Sequence, residues 1–260
     1  MADYARNRMF FASSTTLMLA VAGYMSFSLF WHDPVPVIWR IPLTVLLFLI
    51  SQTITGMRVL ITKRPDLPFL LVRAGGFVSS SFMVLSWLVL LRDLLLALCF
   101  GASLLIPGLS GLEERLFSAL LSIPAELLML ASSLVAAAAG MARALAVPDV
   151  RRIEIPIKGL PGDLDGLKIA HLSDLHIGST FTGAWLEEVV RRTNALEPDF
   201  TLITGDLADG TPERIGAFLR PVTELRARHD VVISAGNHDY YSGLRPLGGN
   251  LATLGTDRAP

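Results

Sequence analysis

Up to Val147 the sequence is a succession of long apolar runs, and no other feature constrains the fold as strongly. A run of about 20 apolar residues crosses a bilayer as a helix. In lipid every backbone N–H and C=O must be satisfied inside the segment, which leaves the helix as the default spanning form. Only 17% of the 260 residues are charged, against about 25% in an ordinary globular chain. That deficit lies before Val147; beyond it charge, Gly and Pro return. Two parts are expected: an all-α transmembrane region over residues 1–147 and a soluble domain over residues 148–260.

Four spans fit the first part. They run from Met9 to Trp31, from Val37 to Ile61, from beyond Arg73 through Trp87 to Arg92-Asp93 and past it, and within Leu116 to Val147. Arg40 and Arg58 fall near the ends of the second, where long side chains snorkel. If Arg92-Asp93 marked a turn instead, Leu94 to Leu112 would become a fifth span. Basic residues decide the count. Arg6 and Arg8 precede the first span, Arg58, Lys63, Arg64 and Arg73 follow the second, and Arg143, Arg151, Arg152 and Lys158 follow the last. Four spans place all three clusters on the cytoplasmic side, as the positive-inside rule expects. The chain then reads as a multi-pass protein of a bacterial inner membrane with its soluble domain in the cytoplasm. Arg92 and Glu126 lie inside apolar sequence at similar depths on antiparallel neighbours, so they either pair near the outer interface, with Asp93 nearby, or each reach headgroup water.

The remaining composition excludes little. A net charge of −1 says nothing useful about nucleic acid, which would want a basic face. Cys99 is the only cysteine, so no intramolecular disulfide forms, and no Gly-rich P-loop, Cys-based zinc motif or dinucleotide fingerprint occurs.

Beyond Val147 the periodicity changes. Arg151 to Ile157 alternates as a half-buried strand does, and Lys158 to Gly162 reads as a loop by its Gly and Pro. Lys168–Leu172, Phe200–Thr204 and Val231–Ser234 are apolar strands; Gly183–Leu196 and Glu213–Arg226 have helical spacing. Alternating strands and helices predict parallel βαβ units, in which ligands bind beyond the carboxyl ends of the strands. Three motifs stand at such ends: Asp174-Leu175-His176, Gly205-Asp206 and Gly236-Asn237-His238-Asp239.

Oxygen and imidazole donors in this arrangement suit divalent metals. Asp174 and His176, two apart, project to one side of an extended chain and can grip one ion. Asp206 can share its oxygens between two ions, and Asn237 offers a carbonyl oxygen to the second. Two metals roughly 3.5–4 Å apart clamp a phosphate and acidify a water for in-line attack. His238 is placed to protonate the leaving oxygen or to stabilise the transition state, and Asp239 to orient an imidazole.

His171-Leu172-Ser173-Asp174-Leu175-His176-Ile177-Gly178, Thr204-Gly205-Asp206-Leu207 and Gly236-Asn237-His238-Asp239-Tyr240 resemble the calcineurin-like metallophosphoesterases, and Leu164 to Ile169 is similar to the entry of that domain in their bacterial membrane-associated branch. The resemblance covers Arg151 to Ser242. It implies two facing β-sheets flanked by helices, two divalent metals (Mn, Fe or Zn), and hydrolysis of phosphomonoesters, phosphodiesters or pyrophosphates. It matches Asp174, His176 and Asp206 to the first metal, Asp206 and Asn237 to the second, and His238 to the leaving group. The family's later His and Gly-His-x-His motifs have no counterpart after His238, and Leu247 to Pro260 shows no strand or helix pattern. The domain therefore reads as C-terminally incomplete, and as given the chain is expected to hold metal weakly with little esterase activity.

Other polar residues read as structural. His171 is expected to be a hydrogen-bonded core residue. Asp209 reads as a turn former beside Gly210, and His229 and His32 as surface residues. Ser173 has no arrangement suggesting a nucleophile. Tyr240 and Tyr241 suit either a substrate pocket or packing. The leading reading is a membrane-anchored phosphoesterase, its tether favouring a lipid-linked or membrane-proximal phosphate. The alternatives are a catalytically deficient domain used for binding or regulation, and a transporter-like module.

Overall fold

A computed structural model describes residues 2–31, 35–63, 67–178, 180–210 and 212–241. His32, Arg64 and the stretch from Leu247 to Pro260 lie outside them. The chain divides into two compact units, Met1–Ala144 and Leu145–Pro260.

The first unit is helical: α1 (Ala2–Phe30), α2 (Val37–Ser51), α3 (Thr53–Lys63), α4 (Phe69–Leu105), α5 (Ser110–Leu120) and α6 (Ile123–Leu145). Four segments are long and apolar enough to cross a membrane: Ala12–Phe30, Val37–Met57, Phe69–Leu105 and Ile123–Leu145. Met18, Met25, Leu29, Leu47, Phe82 and Val89 pack into a core between them. Outside that core large apolar side chains stay exposed, Leu70 at 80% and Trp87 at 65% among them. Contiguous exposure of this kind suits a lipid solvent rather than water.

One boundary differs from expectation, and one expected course is borne out. The second span is broken at Gln52, which caps α2 before α3 begins. No Pro or Gly stands there. Instead Ser51 Oγ donates to Phe48 O and Thr53 Oγ1 to Ile50 O, bonds that compete with the helical ladder. The third span runs unbroken through Arg92-Asp93 to Leu105, so no turn separates a fifth span. At 1.5 Å per residue α4 is about 55 Å long, well beyond the roughly 30 Å hydrocarbon core.

Arg92 is buried at 5% exposure. Its Nε donates to Asp93 Oδ1 at 2.8 Å and its Nη2 to Ser28 O at 3.0 Å, while Nη1 stands 3.7 Å from Glu126 Oε1. Tyr24 OH and Ser28 Oγ donate to Asp93 Oδ2 at 2.7 and 2.5 Å. The Arg92–Glu126 pairing is present, and it ties α1, α4 and α6 together.

The second unit carries a parallel three-stranded sheet in the order β1-β3-β5, from β1 (Ile169–Leu172), β3 (Phe200–Thr204) and β5 (Asp230–Ser234). The register pairs Leu172 with Ile203 and Ile203 with Ile233. A short parallel ladder joins β2 (Ile177–Gly178) to β4 (Ala208–Asp209). Helices α7 (Gly183–Asn194) and α8 (Pro212–Leu219) supply Leu186, Val189, Val190, Ile215 and Leu219 to a core shared with Ile203, Val231 and Ile233. A five-residue helix, α9 (Asn237–Tyr241), follows β5.

Arg151 to Ile157 is not a strand, although its residues alternate. Ile153 and Ile155 are 79% and 75% exposed; alternation gives a strand only when a neighbour supplies hydrogen bonds. The helix expected over Glu213–Arg226 ends at Leu219, and Arg220–Glu224 tightens into a 3₁₀ turn. Pro221, having no N–H, stops the α-helical ladder there.

Candidate metal centre

The three motifs leave the carboxyl ends of β1, β3 and β5, where parallel strand order brings their loops together. Two glycines make that approach possible. A Cβ on Gly205 would meet Gly236 Cα at 2.8 Å, and one on Gly236 would meet Asp206 Oδ1 at 2.2 Å. Gly205 also has a φ of 89°, which L side chains avoid.

The non-glycine residues of these loops are strained as well. Asp174, His176 and Asp206 have φ values of 56°, 44° and 51°. Positive φ is uncommon outside glycine and persists where surrounding bonds over-determine it. Here Asp174 N–H donates to Gly205 O at 3.3 Å, and His176 N–H to Asp206 O at 2.9 Å. Asp174 and His176 therefore come together through a kinked loop rather than the extended backbone expected, because the β3 loop dictates their hydrogen bonds.

His176 Nε2 lies 3.9 Å from both Asp174 Oδ1 and Asp206 Oδ2. Donor atoms of His176, Asp206 and His238 all fall within 4.8 Å of one another, and the two imidazoles meet edge to face with centroids 4.7 Å apart. Asp206 Oδ1 accepts the His238 backbone N–H at 2.9 Å, leaving Oδ2 turned toward His176. Asp174 is 66% exposed at its side chain, with Ser173 Oγ donating to its Oδ2. Asn237 opens α9 and is exposed. A cluster of two imidazole nitrogens and carboxylate oxygens at these separations fits a divalent metal.

Asp209 is the residue that sequence reasoning missed. Its Oδ1 is 2.6 Å from His238 Nδ1, and its Oδ2 is 3.1 Å from His176 Nδ1. It sits on β4, where the ladder pairs it with Gly178, and a Cβ on Gly178 would meet Asp209 O at 2.4 Å. The available signal was its spacing, three residues after Asp206. Asp209 holds the pKa of His238 above the ordinary histidine value, against partial burial that acts to lower it.

Asp239 directs both carboxylate oxygens to backbone amides. It is 3% exposed and accepts the Ala208 N–H at 3.0 Å and the Gly236 N–H at 2.9 Å. The carboxylate orienting His238 is Asp209, and Asp239 braces the backbone of two loops. His171 hydrogen-bonds Thr204 Oγ1 at 2.7 Å, yet it is exposed rather than in the core. His229 is exposed beside Phe200. Tyr240 is 64% exposed; the side chain of Tyr241 lies outside the described residues.

Residues 167–258 match the calcineurin-like phosphoesterase family profile. The C-terminal unit carries a calcineurin-like phosphoesterase domain. Its relatives include a "Transmembrane protein with metallophosphoesterase domain" of Danio rerio, 37% identical over 40% of this chain and 24% of the relative. An uncharacterised metallophosphoesterase of Helicobacter pylori is 35% identical over 44% of this chain and 30% of its own length. A UDP-2,3-diacylglucosamine pyrophosphatase of Chlamydia trachomatis is 35% identical over 35% of this chain and 28% of its length. The matches thus include animal and bacterial proteins, and the chain spans about a quarter of the transmembrane relatives. No solved structure matches significantly.

Proposed function

We propose that this chain belongs to a membrane-anchored, metal-dependent phosphoesterase whose site is built from Asp174, His176, Asp206, Asn237 and His238. The observation that carries the reading is the convergence of His176, Asp206 and His238 donors on loops whose backbone is held at positive φ. Asp174, His176 and Asp206 would hold one divalent ion, and Asp206 and Asn237 a second. Such ions neutralise phosphoryl oxygens and acidify a bound water.

The protein's own groups do the rest. His238, whose pKa the hydrogen-bonded Asp209 raises, faces the cluster and is suited to donate a proton to the leaving oxygen. Asp239 fixes the Gly236 and Ala208 amides, so the loop carrying His238 does not drift. The basic residues at one end of the helices favour a cytoplasmic face of a bacterial inner membrane for the domain. The tether, with a relative named for a diacylglucosamine nucleotide, favours a lipid-linked phosphate ester or pyrophosphate.

Purified chain in detergent with Mn²⁺ is to be assayed on bis(p-nitrophenyl) phosphate beside Asp206→Asn. Turnover lost in the variant supports the reading. A second reading, ligand binding without turnover, is favoured by the small number of donors that the described residues bring together. Saturable Mn²⁺ binding with no hydrolysis of phosphomonoester, phosphodiester or pyrophosphate would select it.

A further inference from the structure

Of the Phe, Trp and Tyr side chains described in the second unit, Tyr240 alone is exposed, at 64%. The others have neighbours. Phe181 and Trp185 meet with ring centroids 4.8 Å apart and pack, with Phe218, against the core. Phe200 lies against His229 with centroids 5.2 Å apart. An aromatic ring usually buries its large apolar face, and the core of the unit does not take this one.

Its place beside the metal centre follows from α9. Tyr240 comes three residues after Asn237 on that helix, so the two stand on one face with Cβ atoms about 5–6 Å apart. Its N–H donates to Gly236 O at 3.4 Å, which closes the turn. Asp239, on another side of the same turn, is buried and holds the Gly236 and Ala208 amides. That anchor leaves Asn237 and Tyr240 exposed together. Between them in sequence, the His238 side chain is 44% exposed. The open rim of α9 thus presents a carboxamide, an imidazole and a phenol ring.

We infer that Tyr240 is a specificity-determining residue, its ring stacking on a planar unsaturated group, a nucleobase or an aryl ring, carried by the phosphate that the metal centre binds. A tyrosine offers a large rigid face at small rotamer cost. A flat π-system gains more from such a face than the area it buries, and an alkyl chain does not. Stacking of a base on an aromatic side chain is worth about five-fold or more in affinity. The inference rests on the phosphoesterase reading of the site, because the ring recognises only what the bound phosphate carries.

The test is calorimetric titration of the full chain, loaded with Mn²⁺ in detergent, with two pairs of ligands. Adenosine monophosphate is set against ribose 5-phosphate, which lacks the base, and phenyl phosphate against butyl phosphate. The wild type is expected to bind the ringed member of a pair tighter by about five-fold or more. A gain confined to the first pair points to a nucleobase, and one in the second to any aryl ring. Tyr240→Phe should keep that ratio. Tyr240→Ala and Tyr240→Leu should each bring it close to one, and either variant serves if the other fails to fold. Equal binding within both pairs, or a ratio that survives both substitutions, would overturn the assignment and leave the phosphoesterase reading in place. If none of the four compounds binds, and inorganic phosphate does not either, that reading falls and takes the assignment with it.

Discussion

Each unit of this chain gathers charged side chains, and the two gatherings are built on opposite principles. In the helical unit Arg92 is buried and meets Asp93, Glu126 and Ser28 directly, with Tyr24 and Ser28 completing Asp93. The charges answer one another. In the phosphoesterase domain Asp174, Asp206 and Asp209 crowd around two imidazoles on loops with positive φ. There, among the described residues, three carboxylates stand against two imidazoles, on a backbone held at positive φ. A cluster that satisfies itself holds helices together. A cluster that stays acidic at a strand-end cleft is arranged for a cation supplied from outside.

Removing one member should therefore cost stability in the first cluster and function in the second. The largest effect is expected from Arg92→Met, which removes the buried guanidinium that Asp93 and Glu126 face. A loss of about 3 kcal/mol or more follows from breaking a buried pair, read by thermal or denaturant unfolding in detergent. Exchanging charges in the Arg92→Glu/Glu126→Arg double variant should recover folded protein lost in each single reversal. If the double variant fares no better, the pair is not what ties the helices.

Asp206→Asn should invert the pattern. Loss of a ligand's charge lowers metal affinity by about 100-fold, at the upper end of what even outer partners of metal ligands cost. The Asn carbonyl can still accept the His238 N–H, so metal-free stability should change by no more than about 0.5 kcal/mol. Calorimetric titration with Mn²⁺ and a melt without it measure both halves. Next comes Gly236→Ala, whose methyl would sit 2.2 Å from Asp206 Oδ1. Overpacking of this kind costs about 1–3 kcal/mol, with weaker Mn²⁺ binding because the carboxylate must move.

Much of this contrast was legible before the fold was known. The strand-end motifs announce themselves because a short apolar run followed by Gly-Asp or Gly-Asn-His-Asp needs only local sequence. The matching depth of Arg92 and Glu126 was readable too, since helical rise converts residue number into depth; that they pair rather than each reach headgroup water was not. What escaped depends on non-local pairing. Arg151–Ile157 alternates as a strand would, yet none of the described residues pairs with it as a strand. Asp209 was read as a turn residue because its partnership with His238 exists only once β4 lies beside β2 and α9 follows β5. The break at Gln52 has a local cause in Ser51 and Thr53, masked by the apolar residues on both sides.

Two smaller effects sharpen the comparison by showing ordinary electrostatics within the second unit. Asp199 is 6% exposed, accepts the Lys168 N–H at 2.8 Å and pairs with Arg228. The Lys168 hydrogen bond, more than the charge of Arg228, holds its pKa below the ordinary carboxylate value. Its stabilisation is therefore complete above the unfolded pKa of about 3.9 and lost as pH falls through the lower folded value. Asp199→Asn should lower stability near neutrality and remove that part of the acid sensitivity in a pH series of melts. Smallest of all is Asp209→Asn in the metal-free protein. It should lower the His238 titration midpoint seen by NMR, because the carboxylate raises it. The stability that Asp209 lends through His238 is present at low pH and lost as pH rises through the folded pKa, so the variant's deficit should shrink at high pH.

The most direct test of the contrast is Mn²⁺ electron paramagnetic resonance on the intact chain in detergent. The account predicts saturable loss of the free six-line signal, with nitrogen hyperfine coupling from imidazole that disappears in His176→Ala. A free-ion signal that persists at every protein concentration, or bound Mn²⁺ indifferent to His176→Ala, would contradict it.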